Sequence, residues 1–250
     1  MKIDFTGKTA LITGATRGIG KAIAECMGNA GATLILTGTK QEEIESYNNH
    51  FQEKGINNIK YIQVDFSNTD STKLFLEKIE EYPQIDICIN NAGVNKINNF
   101  ELTTTDDLKW INDINIIAPY NILKVVGPKM VKQNYGRIVN IASIWSVINR
   151  PGRSLYSLSK NAIVGLTKAL AIEWADKNIL VNAVSPGFTL TELTKNTNSE
   201  EQLEAIKNCI PIKRIANPDE IAKVVAFLCS DLNTYLTGQN IIVDGGYTNV

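Results

Sequence analysis

Histidine is nearly missing: the 250 residues contain one, His50. It stands in a polar, Asn-rich stretch whose spacing predicts the solvent side of a helix. A Ser-His-Asp triad needs an imidazole beside its nucleophile, so that chemistry is excluded, and most zinc constellations go with it. Cysteine is sparse too. Cys26, Cys88, Cys209 and Cys229 show no Cys-x-x-Cys spacing. Three of them lie in apolar periodic segments, which predicts buried free thiols in a reducing cytosol and no metal site. An excess of one charge is also absent. Lys and Arg number 25 against 26 Asp and Glu, a net charge of −1, which gives no electrostatic case for nucleic acid or an anionic membrane as partner. No apolar run approaches the ~20 residues needed to span a bilayer. The first residues, Met1-Lys-Ile-Asp-Phe-Thr-Gly-Lys8, lack the apolar stretch of a secretory leader. The expectation is a cytoplasmic globular protein.

What is there is alternation. A short apolar run, Lys8–Thr13, ends in Gly14-Ala-Thr-Arg17-Gly18-Ile-Gly20, and helical spacing follows over Lys21–Ala30, closed by Gly31. Thr33–Thr37 reads as a strand, Gln41–Lys54 as a helix, Ile59–Asp65 as a strand, and Thr69–Tyr82 as a helix stopped by Pro83. Asp86–Asn90 is a buried strand, Thr104–Gln133 one long helix, Gly136–Ala142 a strand, and Leu155–Asp176 a helix. Strand Ile179–Val184, helix Glu220–Ser230 and strand Gln239–Asp244 complete the chain. About seven strands alternating with helices predict an α/β fold, a Rossmann-type doubly wound parallel sheet with helices on both faces. No linker, repeat or low-complexity tract interrupts it, so residues 1–250 are expected to form a single domain.

Ligands of such sheets sit beyond the carboxyl ends of the strands. Gly14, Thr37, Asp65, Asn91, Ser143 and Pro186 all fall at or just past such ends, and would line one crevice. Gly14, Gly18 and Gly20 occupy a strand-to-helix turn, where backbone N–H groups and the helix dipole hold a phosphate. Their G-x-x-x-G-x-G spacing differs from the G-x-G-x-x-G fingerprint, and Ala22 after Gly20-Lys21 excludes a phosphate-loop NTPase.

The most informative stretch runs from Ser143 to Lys160. Tyr156 and Lys160, four apart, share one helix face. A free tyrosine ionises near pH ~10, and a neighbouring ammonium favours the phenolate. A shift of about three units corresponds to roughly 4 kcal/mol, within reach in a cleft. Ser143 is placed to bond the same reacting oxygen. This is a proton-transfer apparatus for a ketone/alcohol pair, built without histidine. A Tyr-x-x-x-Lys pair by itself is more often a surface tyrosine packed on a lysine stem, and its weight comes from the motifs around it.

Together, Thr13-Gly14-x-x-x-Gly18-x-Gly20, Asn90-Asn91-Ala92-Gly93, Ser143, Tyr156-x-x-x-Lys160 and Asn182-x-x-x-Pro186-Gly187 resemble the classical short-chain dehydrogenase/reductase family in order and spacing. The resemblance runs the length of the chain, to Val243-Asp244-Gly245-Gly246. It implies a nicotinamide dinucleotide, with Tyr156 as general acid/base and Lys160 lowering its pKa and holding the nicotinamide ribose. Ser143 would orient the carbonyl, and Asn115 would complete the set and support a proton relay, with Asn112 a near neighbour competing for that role. The implied cofactor contacts are Gly14, Thr16, Arg17, Gly18, Ile19 and Gly20 in the turn; Thr37 and Lys40 after the second strand; Asp65 and Phe66 at the adenine; and Asn91, Ala92 and Gly93 near the adenosine ribose. Tyr156 and Lys160 are shared with catalysis, and Pro186, Gly187 and Thr189 close the nicotinamide end. Asn90 or Asn91 could equally brace neighbouring strands.

NAD enzymes place a carboxylate after the second strand to bind the ribose 2′-OH. Here Thr37-Gly38-Thr39-Lys40 has none, while Arg17 and Lys40 suit a 2′-phosphate, so NADP(H) is favoured with NAD(H) as the alternative. The substrate is a small carbonyl or alcohol compound. Ile210–Ala222 resembles a segment of 3-oxoacyl-carrier-protein reductases and of sugar and polyol dehydrogenases. Carrier-protein reductases usually present an arginine pair where this chain has Pro128 and Ile172, although Lys124, Lys129 and Lys132 leave some positive charge nearby. Arg150 and Arg153, two of five arginines, stand in a loop that more often carries small residues. One of them is expected to read an anionic substrate, against the alternative of an interface or surface role. The polar stretch 189–208 reads as a substrate lid. Apolar helical stretches such as Ile163–Ile172 point to a homotetramer, as is common in the family. The competing readings are a nucleotide-binding regulatory subunit without catalysis, and an epimerase or dehydratase of the extended branch, which has a different glycine turn and a larger C-terminal region.

Overall fold

The computed structural model describes residues 2–192, 194 and 198–250. Along the chain it has β1 (Thr9–Ile12), α1 (Gly18–Asn29), β2 (Thr33–Gly38), α2 (Gln41–Glu53), β3 (Ile59–Gln63), α3 (Thr69–Glu80) and β4 (Ile87–Asn90). Then follow α4 (Thr105–Asn112), α5 (Ala118–Gln133), β5 (Gly136–Ile141), α6 (Ser154–Glu173), β6 (Ile179–Pro186), α7 (Glu200–Cys209), α8 (Pro218–Cys229) and β7 (Asn240–Val243). All seven strands pair in parallel in one sheet, in the order β3-β2-β1-β4-β5-β6-β7.

The pleat explains why the strands read as continuous apolar runs. Successive side chains point to opposite faces, and in a parallel sheet helices cover both. Leu34 and Leu36 join one core and Ile35 the other; Ile87 and Ile89 oppose Cys88; Val139 and Ile141 oppose Ile138. Ile23 and Met27 of α1 with Ile221 and Val225 of α8 fill the first core. Phe75 and Ile79 of α3 with Ile122, Val126 and Met130 of α5 fill the second. Each such side chain removed from water contributes about 1.5–3 kcal/mol, so an interior position takes a polar group only with a partner.

One buried polar chain meets that condition and fixes the site. Asn90 Nδ2 donates to Asn140 Oδ1 (2.8 Å), Asn140 Nδ2 donates to Thr167 Oγ1 (2.9 Å), and Thr167 Oγ1 donates to Ile163 O (2.8 Å). Leaving one such group unpaired costs about 1–3 kcal/mol, so the chain locks α6 in register against β4 and β5. The helix bearing Tyr156 and Lys160 is thereby held over the carboxyl end of β5.

The direction in which successive strands are added to the sheet reverses between β1 and β4, and the crevice opens at that switch point. Two expectations are corrected, and a third, the lid, gains an element. The predicted helix 104–133 is broken by a π-helical turn, Asp113–Ile117, between α4 and α5. The predicted lid contains a regular helix, α7, started by a Ser199/Gln202 capping box; Leu193 and residues 195–197 of that lid lie outside the described residues. The thiols are free but not uniformly buried: Cys88 and Cys229 are buried, Cys26 is half-buried and Cys209 is exposed, because the helix carrying Cys209 buries none of its side chains. His50 is exposed, as expected.

Candidate active site

The glycine turn is built by close approach. Gly14 and Gly18 take left-handed backbone at φ +65° and +57°, a region that L side chains avoid. A Cβ on Gly20 would stand 2.2 Å from the Gly14 carbonyl oxygen and 2.4 Å from Asn91 Nδ2. Three side chains clamp the turn. Asn91 Nδ2 donates to the Thr13 and Gly14 carbonyls (2.9 and 3.0 Å), and Thr13 Oγ1 accepts from the amides of Asn91 and Ala92. Thr37 Oγ1 accepts from the Gly14 amide at 3.0 Å. Helix α1 starts within this turn, at Gly18, and its N-cap, Arg17, makes no side-chain capping bond. The first-turn N–H groups thus have no side-chain acceptor, and with the helix dipole they suit an anion. Both the backbone cradle and the uncapped helix start fit a dinucleotide pyrophosphate.

The residues expected to transfer the proton assemble two strands along the sheet from β1, at the end of β5. Ser143, 6% exposed, follows β5 and caps a short 3-10 turn, its Oγ accepting from the Trp145 amide. Tyr156 and Lys160 project from the first turns of α6. Lys160 is 4% exposed, and its Nζ donates to Ile141 O at 2.8 Å and lies 5.5 Å from the Tyr156 ring centroid. Burial lowers the Lys160 ammonium to about 8. The Tyr156 phenol moves opposite to the sequence expectation: burial raises it, while the Ser143 hydroxyl and the Arg153 charge pull it down. The cause is that Lys160 is aimed at the Ile141 carbonyl, and desolvation outweighs the remaining charges.

Asn115 sits in the π-helical turn, a feature that often marks functional positions. Its Oδ1 accepts from Val94 N (2.9 Å), and its Nδ2 donates to Val94 O (2.9 Å) and Ser159 Oγ (3.0 Å). It therefore ties the segment after β4 to α6. Asn112 makes no such tie, its buried Oδ1 being without a partner. Gly93 leaves open the space beside both groups: a Cβ there would lie 3.3 Å from Lys160 Nζ and 3.4 Å from Asn115 Oδ1.

These groups face one cleft of about 410 Å³, walled by Ser143, Tyr156, Lys160, Arg150 and Arg153 and bordered by Ile19, Asn91, Gly93, Pro186, Gly187 and Thr189. Among the lining residues, sequence reading missed Asn95, Trp145 and Phe188, while Ile206, from α7, falls within the stretch read as a lid. Asn95 and Trp145 lie two residues beyond recognised motifs, the only signal available. A larger, shallow groove of about 760 Å³ lies on the outer side of the Arg150 loop, with no member of the proton-transfer group in its wall.

The other expected contacts lie on the same side of the sheet with different freedom. Arg17 and Lys40 are exposed, and Gly38 packs against Thr16 so tightly that a Cβ would stand 2.4 Å from the threonine methyl. Asp65 Oδ1 is engaged by Ser67. Phe66 turns its ring into the core against Phe75, leaving its backbone as the group it can offer. The hydroxyls of Thr37 and Thr189 are already bonded, to Gly14 and Gly187. Asn90 is a brace, and the Asn91 amide is one too.

Comparison with known proteins agrees with this geometry. The family model described as Enoyl-(Acyl carrier protein) reductase matches residues 14–248. The chain is 39% identical to the 3-oxoacyl-[acyl-carrier-protein] reductase FabG of Aquifex aeolicus, over 98% of this chain and 99% of that one. Among solved structures, a short chain dehydrogenase/reductase family protein superposes with a TM-score of 0.88 at 31% identity, covering 98% and 100% of the two chains. A gluconate 5-dehydrogenase from Burkholderia cenocepacia, in complex with NADP and tartrate, superposes with a TM-score of 0.90 at 28% identity, covering 99% and 97%. The strand order, the glycine turn and the Ser143, Tyr156 and Lys160 cleft thus carry a family likeness along nearly the whole sequence, and the chain belongs to the classical short-chain dehydrogenase/reductase family.

Proposed function

We propose that the protein is an NADP(H)-dependent oxidoreductase of the cytoplasm that interconverts a small ketone and its secondary alcohol, with Tyr156 as general acid/base. The observation that carries this reading is the convergence of Ser143, Tyr156 and Lys160 on one cleft beside the glycine turn. When bound, the nicotinamide supplies or accepts the hydride. Gly14, Gly18, Gly20 and the start of α1 would hold its pyrophosphate, and Lys160 and Thr189 would lie at its nicotinamide end.

The protein's own part is to hold the carbonyl and move one proton. Ser143 Oγ–H donates to the substrate oxygen. Tyr156 Oη gives its proton to that oxygen as negative charge builds there in reduction, and takes it back in oxidation. Burial keeps the phenol protonated at neutral pH, which suits the acid role, and the Lys160 ammonium, 5.5 Å from the centre of the Tyr156 ring, would stabilise the phenolate left behind. Asn115, with both amide hydrogens committed, serves as a positioning residue that keeps Val94 and Ser159 in place. A regulatory subunit without catalysis would have no reason to keep this set.

NADP over NAD is supported at the end of β2. The Gly38–Thr16 contact leaves no room for a side chain, hence none for a carboxylate, while Arg17 and Lys40 stand exposed on either side. Charge-assisted bonds to a 2′-phosphate are worth roughly 1.5 kcal/mol each, so Arg17→Ala and Lys40→Ala should each raise KM for NADPH about 10-fold. KM for NADH should stay within about twofold. Wild-type steady-state kinetics with lower KM for NADH than for NADPH would reject the assignment.

A small substrate, rather than a carrier-bound one, is supported by Pro128 and Ile172 and by the fate of Lys129. Its Nζ donates to the Glu80 and Tyr82 carbonyls, closing the end of α3 and leaving only Lys124 and Lys132 of the three lysines toward solvent. Two exposed apolar faces support a homotetramer. Trp110, Ile117, Tyr120, Leu158 and Ile172 lie on α4 to α6 and the turn between them, and Phe227, Tyr235, Ile242 and Val250 lie near α8 and β7. Two separate patches, each paired with its own copy, would generate a closed assembly of four. Light scattering should give about four times 27.6 kDa; a monomer at micromolar concentration would contradict it.

A further inference from the structure

The cleft has a charge asymmetry that hydride transfer alone does not require. Among the described residues no Asp or Glu lines it, while Arg150, Arg153 and Lys160 do. The two guanidinium groups share one platform: each central carbon lies 5.6 Å from the centroid of the buried Trp145 ring. Trp145 is two residues from Ser143, so the platform is fixed by the same turn that places the proton-transfer group.

Neither arginine has an ion-pair partner among the described residues. Two like charges held against one aromatic ring repel, and Arg153 is half-buried with its Nε sealed from solvent and unbonded. Its pKa is lowered by burial first and by the Arg150 charge second. Arrangements of this kind persist when an anion completes them, because planar guanidinium groups match a carboxylate or phosphate edge in paired hydrogen bonds. Arg150 is exposed, so it is Arg153, half-buried with a sealed and unbonded Nε, that a purely surface or interface role does not explain. Residue chemistry thus specifies an oxyanion at one end of the ligand.

We infer that Arg150 and Arg153, both set against Trp145, form a subsite for the anionic end of a small hydroxy or keto compound whose reacting carbon lies at Tyr156. This rests on the oxidoreductase reading above and names the substrate class for that same cleft. The charge on the substrate is a carboxylate or a phosphate ester; the arginine pair accepts either.

The test is equilibrium binding by titration calorimetry, on full-length enzyme first titrated with NADP⁺ and then, once saturated, with two matched pairs. L-tartrate is set against threitol, and glycerol 3-phosphate against glycerol. At least one anion is expected to bind at least about 10-fold tighter than its neutral partner, and the anion with the larger preference identifies the charged group. Arg153→Gln should reduce that preference about 10-fold, and the Arg150→Gln, Arg153→Gln double variant should abolish it. Arg153→Lys should restore only part of it. NADP⁺ affinity unchanged in the variants shows that they are folded. Failure of the wild type to bind NADP⁺ or NAD⁺ would overturn the oxidoreductase reading itself. Cofactor binding with no anion preference, or a preference that survives in the double variant, would overturn the subsite.

Discussion

Tyr156→Phe is expected to lower kcat/KM for ketone reduction by roughly 10²–10⁴, the range a positioned general acid contributes. The Kd for NADPH should change less than about threefold. The substitution removes one oxygen and its proton while keeping the ring that packs at the start of α6. Lys160 and the glycine turn stay in place, since their bonds do not involve the phenol oxygen, and Ser143, which bonds that oxygen, remains held by its bond from the Trp145 amide. The loss should therefore fall on kcat. Steady-state kinetics with a fluorescence titration of NADPH checks both halves. A variant with more than about a tenth of wild-type kcat would show that the proton comes from elsewhere.

Lys160→Met is expected to abolish most turnover and yet to stabilise the fold. The ammonium sits 4% exposed with one protein acceptor, and burial moves its pKa from an ordinary 10.5 to about 8. The folded state thus holds its proton less tightly than the unfolded chain. Between about pH 8 and 10.5 the unfolded chain binds more protons, so this group's contribution makes stability rise with pH through that window. Below it, carrying the buried charge costs an amount on the order of 3 kcal/mol. Methionine keeps the stem without the charge and forfeits a hydrogen bond to Ile141 worth about 1 kcal/mol. A net gain of about 1–2 kcal/mol should raise Tm at pH 7 by a few degrees, and the gain should shrink as pH approaches 10. In the wild type, reduction should fall above about pH 8, as the ammonium that supports the phenolate is lost. Cofactor-free thermal melts at several pH values decide it. A variant melting well below wild type at pH 7 would mean that the ammonium is a net structural support.

The sheet was legible because burial on both faces writes each strand as an apolar run, as in Leu34-Ile35-Leu36 and Ile87-Cys88-Ile89. The glycine turn, Ser143, Tyr156 and Lys160 were legible because their chemistry requires particular residue types at fixed spacing. Other features left no such mark. The π-helical turn at Asn115 changes a hydrogen-bond step without changing the helical hydrophobic pattern. Helix α7 has no buried face, so its sequence reads as loop. The direction of the Tyr156 shift depends on how deeply its oxygen is desolvated and where Lys160 points, and neither follows from a four-residue spacing. Trp145 as a shared platform for two arginines emerges only when the loop closes back over the cleft.

The central claim is that this cleft transfers hydride between a nicotinamide and a small carbonyl compound. It is tested most directly by following NADPH oxidation by the wild-type enzyme against a panel of hydroxy-keto acids, keto-sugars, sugar phosphates and acetoacetyl thioesters. The account predicts steady turnover, with kcat on the order of 1–10³ s⁻¹ for the best substrate, NADPH preferred to NADH, and a small anionic compound ahead of the thioesters. Tight NADPH binding with no oxidation by any member of the panel would contradict it and favour a nucleotide-binding protein without catalysis.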